Sequence, residues 1–137
     1  MKVRPVLDAL DGLETHLINV SYFYKSGDMT KWWREVKNVA GDLRELWERA
    51  VEQVLSPVYT RFDYGVDTTG LVKTTILTEQ DCRVMRGGYS RCSQLKHSEP
   101  RPVGSKSPEP GDLRREIDEL RHWLTDILQR QDAVKPV

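Results

Sequence analysis

Arg44 and Glu48 stand four residues apart in DLRELWERAVEQVL (42–55), a spacing that puts both side chains on one helical face. That face borders Ala40, Trp47, Val51 and Leu55, so both charged heads fall at the edge of a core. Glu45, Arg49 and Glu52 lie further round, on the solvated side. The ordinary role of such a pair is helix support worth about 0.3–0.5 kcal/mol. His97 adds a second kind of chemistry. It stands in YSRCSQLKHSEP, where ordered sequence gives way to a proline-rich stretch, and an imidazole in a loop held by a scaffold can move protons near neutral pH. His16 and His122 fall within helical patterns beside Leu17 and Trp123 and read as packing or surface residues.

The neighbourhood of His97 is basic. Residues 83–106 hold Arg83, Arg86, Arg91, Lys96, Arg101 and Lys106 against Glu99 alone, with Tyr89 among them. Cations contact phosphates and an aromatic ring stacks on an unpaired base, so Arg83, Arg86, Tyr89, Arg91 and Lys96 are candidate RNA-binding residues. A solvated loop, or a docking surface for an acidic partner, is the plainer role for the same segment. Together, Arg44, Glu48 and His97 compose a candidate phosphodiester site that needs no metal and no cofactor. Arg44 would hold the phosphate and stabilise its added charge, and His97 would act as general acid or base. Glu48 would orient Arg44 or share the proton transfer. An RNA 2′-OH would be the internal nucleophile.

The elements that must position these residues are helical. Val6, Leu10, Leu13, Leu17, Val20 and Tyr24 recur in steps of three and four, one stripe of an amphipathic helix. Gly27 stops it, and Asp28 or Thr30 is placed to cap the next. A second helix should run from about Met29 to Leu55 on Trp32, Val36, Val39/Ala40, Leu43, Leu46/Trp47, Ala50/Val51 and Val54, up to Pro57. Gly41 within it would let a neighbouring helix come close. The short connection predicts an antiparallel hairpin that needs a further layer to cover its broad apolar faces. Residues 58–77 lose the helical period and gain Val, Thr, Tyr and Phe, which predicts a short β-hairpin or an irregular excursion. Thr78 and Asp81 read as a helix cap. RGGYS (86–90) should interrupt that helix before RCSQLKH resumes order.

The expected fold is therefore mainly α, a helical hairpin plus further helices, in one domain. It comprises a helical core over 1–97 with the β-like excursion, a linker or loop over 98–111, an amphipathic helix over 112–131 and a tail over 132–137. The linker holds four prolines and two glycines. The last helix carries Leu113, Ile117, Leu120, Trp123/Leu124 and Ile127. Lys+Arg and Asp+Glu both number 21, so the chain as a whole is not built for indiscriminate nucleic-acid binding. Cys82 and Cys92 match no zinc or CxxC spacing and are expected as reduced thiols of a cytoplasmic protein. No apolar run reaches membrane-spanning length. GSKS (104–107) lacks phosphate-loop spacing.

The stretch DLRELWERAVEQVL followed by VYTRFDYGVDTTGL resembles the C-terminal region of large bacterial ATPases with a wrinkled P-loop domain, with which it shares Leu43 to Glu52, Arg61–Phe62, Val66, Thr68 and Leu71. Glu79–Asp81, Ser90–Ser93, His97 and PGDLRREIDELRHWL fit the same pattern, so the resemblance covers most of the chain. Some of those proteins are anticodon nucleases of the RloC and PrrC types, whose nuclease region is a HEPN-like helical ribonuclease. The resemblance implies an Arg and a Glu four apart and a later His as the catalytic set, an order that Arg44, Glu48 and His97 reproduce. Arg91 to His97 is similar to the R-x4-6-H motif of HEPN ribonucleases. What it implies is a tRNA endonuclease of toxin or antiphage-defence type that leaves 2′,3′-cyclic phosphate ends, with a homodimer as a further expectation. The family's ATPase domain is absent here. The chain is then a stand-alone toxin-like domain, a split subunit, a fragment or a remnant, and control would pass to an ATPase partner chain. The alternative is a non-catalytic helical module that docks on such an ATPase or dimerises.

Overall fold

A computed structural model describes residues 4–55, 73–97 and 107–134. Four helices follow one another: α1 (Arg4–Lys25), α2 (Met29–Leu55), α3 (Glu79–His97) and α4 (Pro110–Asp132). No strand occurs among the described residues, and the mainly α class read from the sequence holds. Of the 58–77 excursion, residues 58–72 lie outside the described residues, as do 98–106 of the expected linker. Residues 73–77 form one tight turn closed by the Leu77 N–H on the Thr74 carbonyl at 3.2 Å.

The helix ends have local causes. Gly27 takes φ +81°, and the Gly27 and Asp28 N–H groups bond the Tyr24 and Phe23 carbonyls at 3.2 and 2.9 Å. That is a Schellman termination, which requires the left-handed residue glycine supplies. Asp28 then caps α2 through the Lys31 N–H at 3.3 Å. Thr78 and Asp81 form a reciprocal box at the start of α3. The Asp81 N–H donates to Thr78 Oγ1 at 3.0 Å, and the Thr78 N–H donates to Asp81 Oδ2 at 2.9 Å. α4 begins at Pro110, two residues before the expected start. Pro suits the first helical position, and the Glu109 N–H is held by Asp112 Oδ2 at 2.8 Å.

α2 is the axis of the bundle and packs on all three other helices, while α4 closes the layer against α1, α2 and α3. The stripes predicted on α1, α2 and α4 supply most of the core. Trp32, Leu43, Trp47, Leu113, Ile117, Leu120, Leu124 and Ile127 are all at most 1% exposed. Two of the polar groups that this burial takes from water are satisfied by backbone carbonyls elsewhere in the chain. The Trp32 indole donates to the Pro108 carbonyl at 2.8 Å, and the Gln131 amide donates to the Val54 carbonyl at 2.9 Å.

One expectation about the helices is overturned. RGGYS does not interrupt α3, which runs unbroken from Glu79 to His97. Each glycine costs about 1 kcal/mol of helix propensity relative to alanine. Gly88 is there because α3 lies directly on the Trp47 indole: a β-carbon at Gly88 would sit 2.3 Å from Trp47 Cζ2. The glycine is a contact, not a break. Gly41 accepts a neighbour more loosely, with the Lys96 stem 3.4 Å from where its β-carbon would be. No helix among the described residues is long and apolar enough to cross a membrane.

Candidate functional site

Arg44 projects from the middle of α2 towards α3. Its Nε donates to the Tyr89 hydroxyl at 2.9 Å, and its Nη1 lies 3.5 Å from His97 Nε2. Its Cζ is 5.1 Å from the Tyr89 ring centroid, a cation over an aromatic face. Glu48, one turn along α2, approaches Nε to 4.0 Å. Two helices thus bring Arg44, Glu48, Tyr89 and His97 together. His97 is the last residue of α3, not a loop residue as the sequence led us to expect, so a helix rather than a loop sets its direction. Arg44 is 28% exposed and Glu48 54%, which leaves the cluster open to a ligand.

Beside the cluster the α2–α3 seam opens into a cavity of about 510 Å³ lined by Trp47, Glu48, Val51, Glu52, Cys82, Met85, Arg86 and Tyr89. Its wall alternates apolar and charged groups. Glu52, read from the sequence as a solvated charge, is exposed yet forms part of this wall. Trp47 is 1% exposed, and its indole Nε1 finds no acceptor among the described residues.

Of the five candidate RNA-binding residues, Arg86 and Tyr89 line this groove. Lys96 lies over Gly41, one turn before Arg44 on α2. Arg83 is on the surface, paired with Glu79 at 3.3 Å and Gln80 at 3.2 Å. Arg91 is turned away and serves another role. It clamps α3 to α4 through Glu116 Oε2 at 2.8 Å and Glu119 Oε1 at 2.7 Å. Six residues of helix leave Arg91 and His97 about 120° apart around the axis, so the spacing similar to a ribonuclease motif does not bring that pair together.

The other two histidines lie away from this cluster. His16 bonds Glu35 at 2.7 Å across α1 and α2, and His122 edges the α3–α4 groove beside Trp123 and Asp126. That groove holds a buried charge that the sequence did not announce. Asp81, 4% exposed, accepts from Arg130 Nη2 at 2.6 Å, Arg130 Nη1 at 3.0 Å and the Trp123 indole at 3.2 Å. The Arg130 guanidinium, with Thr78 and Trp123, holds this carboxyl well below the usual carboxylate range. Thr78 and Asp81 were legible as a cap, but nothing local marks partners 42 and 49 residues away. Among the described residues, no group of three or more His, Cys, Asp or Glu gathers at metal-ligating range. Comparison with protein-family models, curated proteins and solved structures finds no match to this chain.

Proposed function

We propose that this chain is a metal-independent, HEPN-like RNA endonuclease that cuts tRNA in or near the anticodon loop and acts in the cytoplasm. The supporting observation is the meeting of Arg44, Glu48 and His97, from two different helices, at the mouth of the groove that Arg86 and Tyr89 line. Arg44 binds the non-bridging oxygens of the scissile phosphate and stabilises the charge that builds on them. Tyr89 and Glu48 fix the direction of its guanidinium. The 2′-oxygen attacks phosphorus as the P–O5′ bond breaks. The 2′-OH proton is taken up on one side of the phosphorus while a proton is delivered to the leaving 5′-oxygen on the other. His97 performs one of these transfers, and Glu48, directly or through a solvent water, performs the other. The products are a 2′,3′-cyclic phosphate and a 5′-OH. The tRNA preference, and regulation by a separate ATPase chain, rest on the sequence resemblance.

The test is purified protein with total tRNA in EDTA, with end-group analysis of the products. Cyclic phosphate ends that disappear in His97→Ala support the reading. Equal cleavage by both proteins removes it.

One observation favours a second reading, a docking or dimerisation module. Ile18 and Tyr22, one turn apart on α1, are 58% and 67% exposed. The α4 stripe, by contrast, is buried, so that helix offers no such surface. A mass in solution that falls on Ile18→Glu/Tyr22→Glu substitution would support the module reading; a monomer in both forms would count against it.

A further inference from the structure

The groove beyond the catalytic cluster is larger than the chemistry at the phosphate requires, and its polar lining is specific. Glu48 and Glu52 stand one helical turn apart on its α2 wall, Arg86 and Tyr89 stand on its α3 wall, and Trp47, Val51 and Met85 supply apolar surface between them. Neither Glu52 nor Arg86 pairs with another charge among the described residues. Arg44 and Glu52 are eight residues apart, about 12 Å along the helix axis, which leaves room for a ribose and base beyond a phosphate held at Arg44.

We propose that this groove is a base-recognition site that selects guanine in single-stranded RNA, with Glu52 as the residue that reads it. This inference rests on the ribonuclease reading of the adjacent cluster. The argument is one of donor and acceptor pattern. An ionised carboxylate offers two acceptor oxygens and no donor. Guanine presents two adjacent donors, N1–H and the N2 amino group, which a carboxylate accepts side by side. Adenine and cytosine each present one amino donor beside a ring acceptor, and uracil sets its single N–H between two acceptors. Only guanine therefore satisfies both oxygens of Glu52. The flat faces of the base meet Tyr89 and the Arg86 guanidinium on one side and the apolar wall on the other, as unstacked bases do on protein surfaces. Two carboxylates in the groove also repel a second phosphate, so the strand must turn its base inward and its backbone towards Arg44.

The experiment titrates the full chain with guanosine, adenosine, cytidine and uridine 3′-monophosphates by calorimetry, in wild type and in Glu52→Gln. Guanosine monophosphate should bind about tenfold or more tighter than the others, and Glu52→Gln should abolish that preference by weakening guanosine binding about tenfold, with no loss for the uridine nucleotide, whose N–H and carbonyl an amide can pair. Saturating guanosine nucleotide should also slow maleimide labelling of Cys82 on the groove wall. Equal binding of the four nucleotides, no binding of any, or a guanine preference that survives Glu52→Gln would overturn the proposal. Cleavage of mixed-sequence oligoribonucleotides separates it from the reading beneath it. RNA cut without guanine preference removes the base site and leaves the nuclease. Glu52-dependent guanine binding without any cleavage removes the nuclease and leaves the base site.

Discussion

Arg44 and His97 are 53 residues apart in the chain, yet Nη1 of one lies 3.5 Å from Nε2 of the other. The Tyr89 hydroxyl accepts from Nε on the same guanidinium at 2.9 Å. Lysine at position 44 would keep the charge but lose the fork and the Tyr89 bond. Arg44→Lys should lower kcat/KM on RNA by about a hundredfold, and Tyr89→Phe by about tenfold. Steady-state cleavage with circular dichroism as a folding control checks both. Unchanged rates in Arg44→Lys would detach this cluster from catalysis.

Arg91 gives the opposite expectation. Its bonds to Glu116 and Glu119 join α3 to α4, away from the groove. Arg91→Ala should cost about 1–2 kcal/mol of stability, because Glu116 is left poorly solvated, and should leave RNA affinity unchanged. Urea denaturation and a filter-binding titration on the same preparation decide it.

Gly88→Ala drives a methyl to 2.3 Å from the Trp47 ring. Helix propensity alone would make the change stabilising by about 1 kcal/mol. Overpacking should outweigh that gain and destabilise the protein by about 1–3 kcal/mol, with a shifted tryptophan emission. Gly87→Ala meets only the far end of the Arg91 side chain and should be much milder.

The pair formed by Asp81 and Arg130 makes stability depend on acid. The folded-state pKa of Asp81 lies below its unfolded value of about 4, so its contribution is present above about pH 4. It is lost as pH falls from there through the folded pKa. Asp81→Asn should cost about 2–3 kcal/mol at pH 7, since Arg130 loses its buried partner. The gap from wild type should close in denaturation curves taken at successively lower pH below about 4. A gap that stays constant with pH would show that the carboxylate charge is not what matters.

The two thiols should separate cleanly. Cys82 is exposed on the groove, whereas Cys92 is buried, and burial pushes its thiol up to about 12. Since the thiolate is the nucleophile, one equivalent of maleimide should react at pH 7.5, at Cys82. Peptide mapping after labelling reads this directly, and labelling of Cys92 in the folded protein would contradict the packing of α3.

The sequence by itself determined three of the helices, α1, α2 and α4, and the stripes they bury. Stripes such as Trp32–Val36–Leu43–Val54 and Leu113–Ile117–Leu120–Ile127 repeat at the helical period, and burying such a face is what holds a helix of this length in water. Gly27, Asp28 and the Thr78–Asp81 pair were legible because capping is decided by residues within one turn. Only the tertiary structure decided the rest. Glycine at 88 reads as a breaker until Trp47 is found against it. Arg91 reads as a phosphate ligand until Glu116 and Glu119 on α4 take it. Glu52 reads as a solvated charge and is exposed, but only the packing of α3 makes it part of a groove wall. Local sequence fixes which way a side chain points from its own helix. What it meets there depends on the register at which a second helix packs, and that register comes from the fit of the whole core.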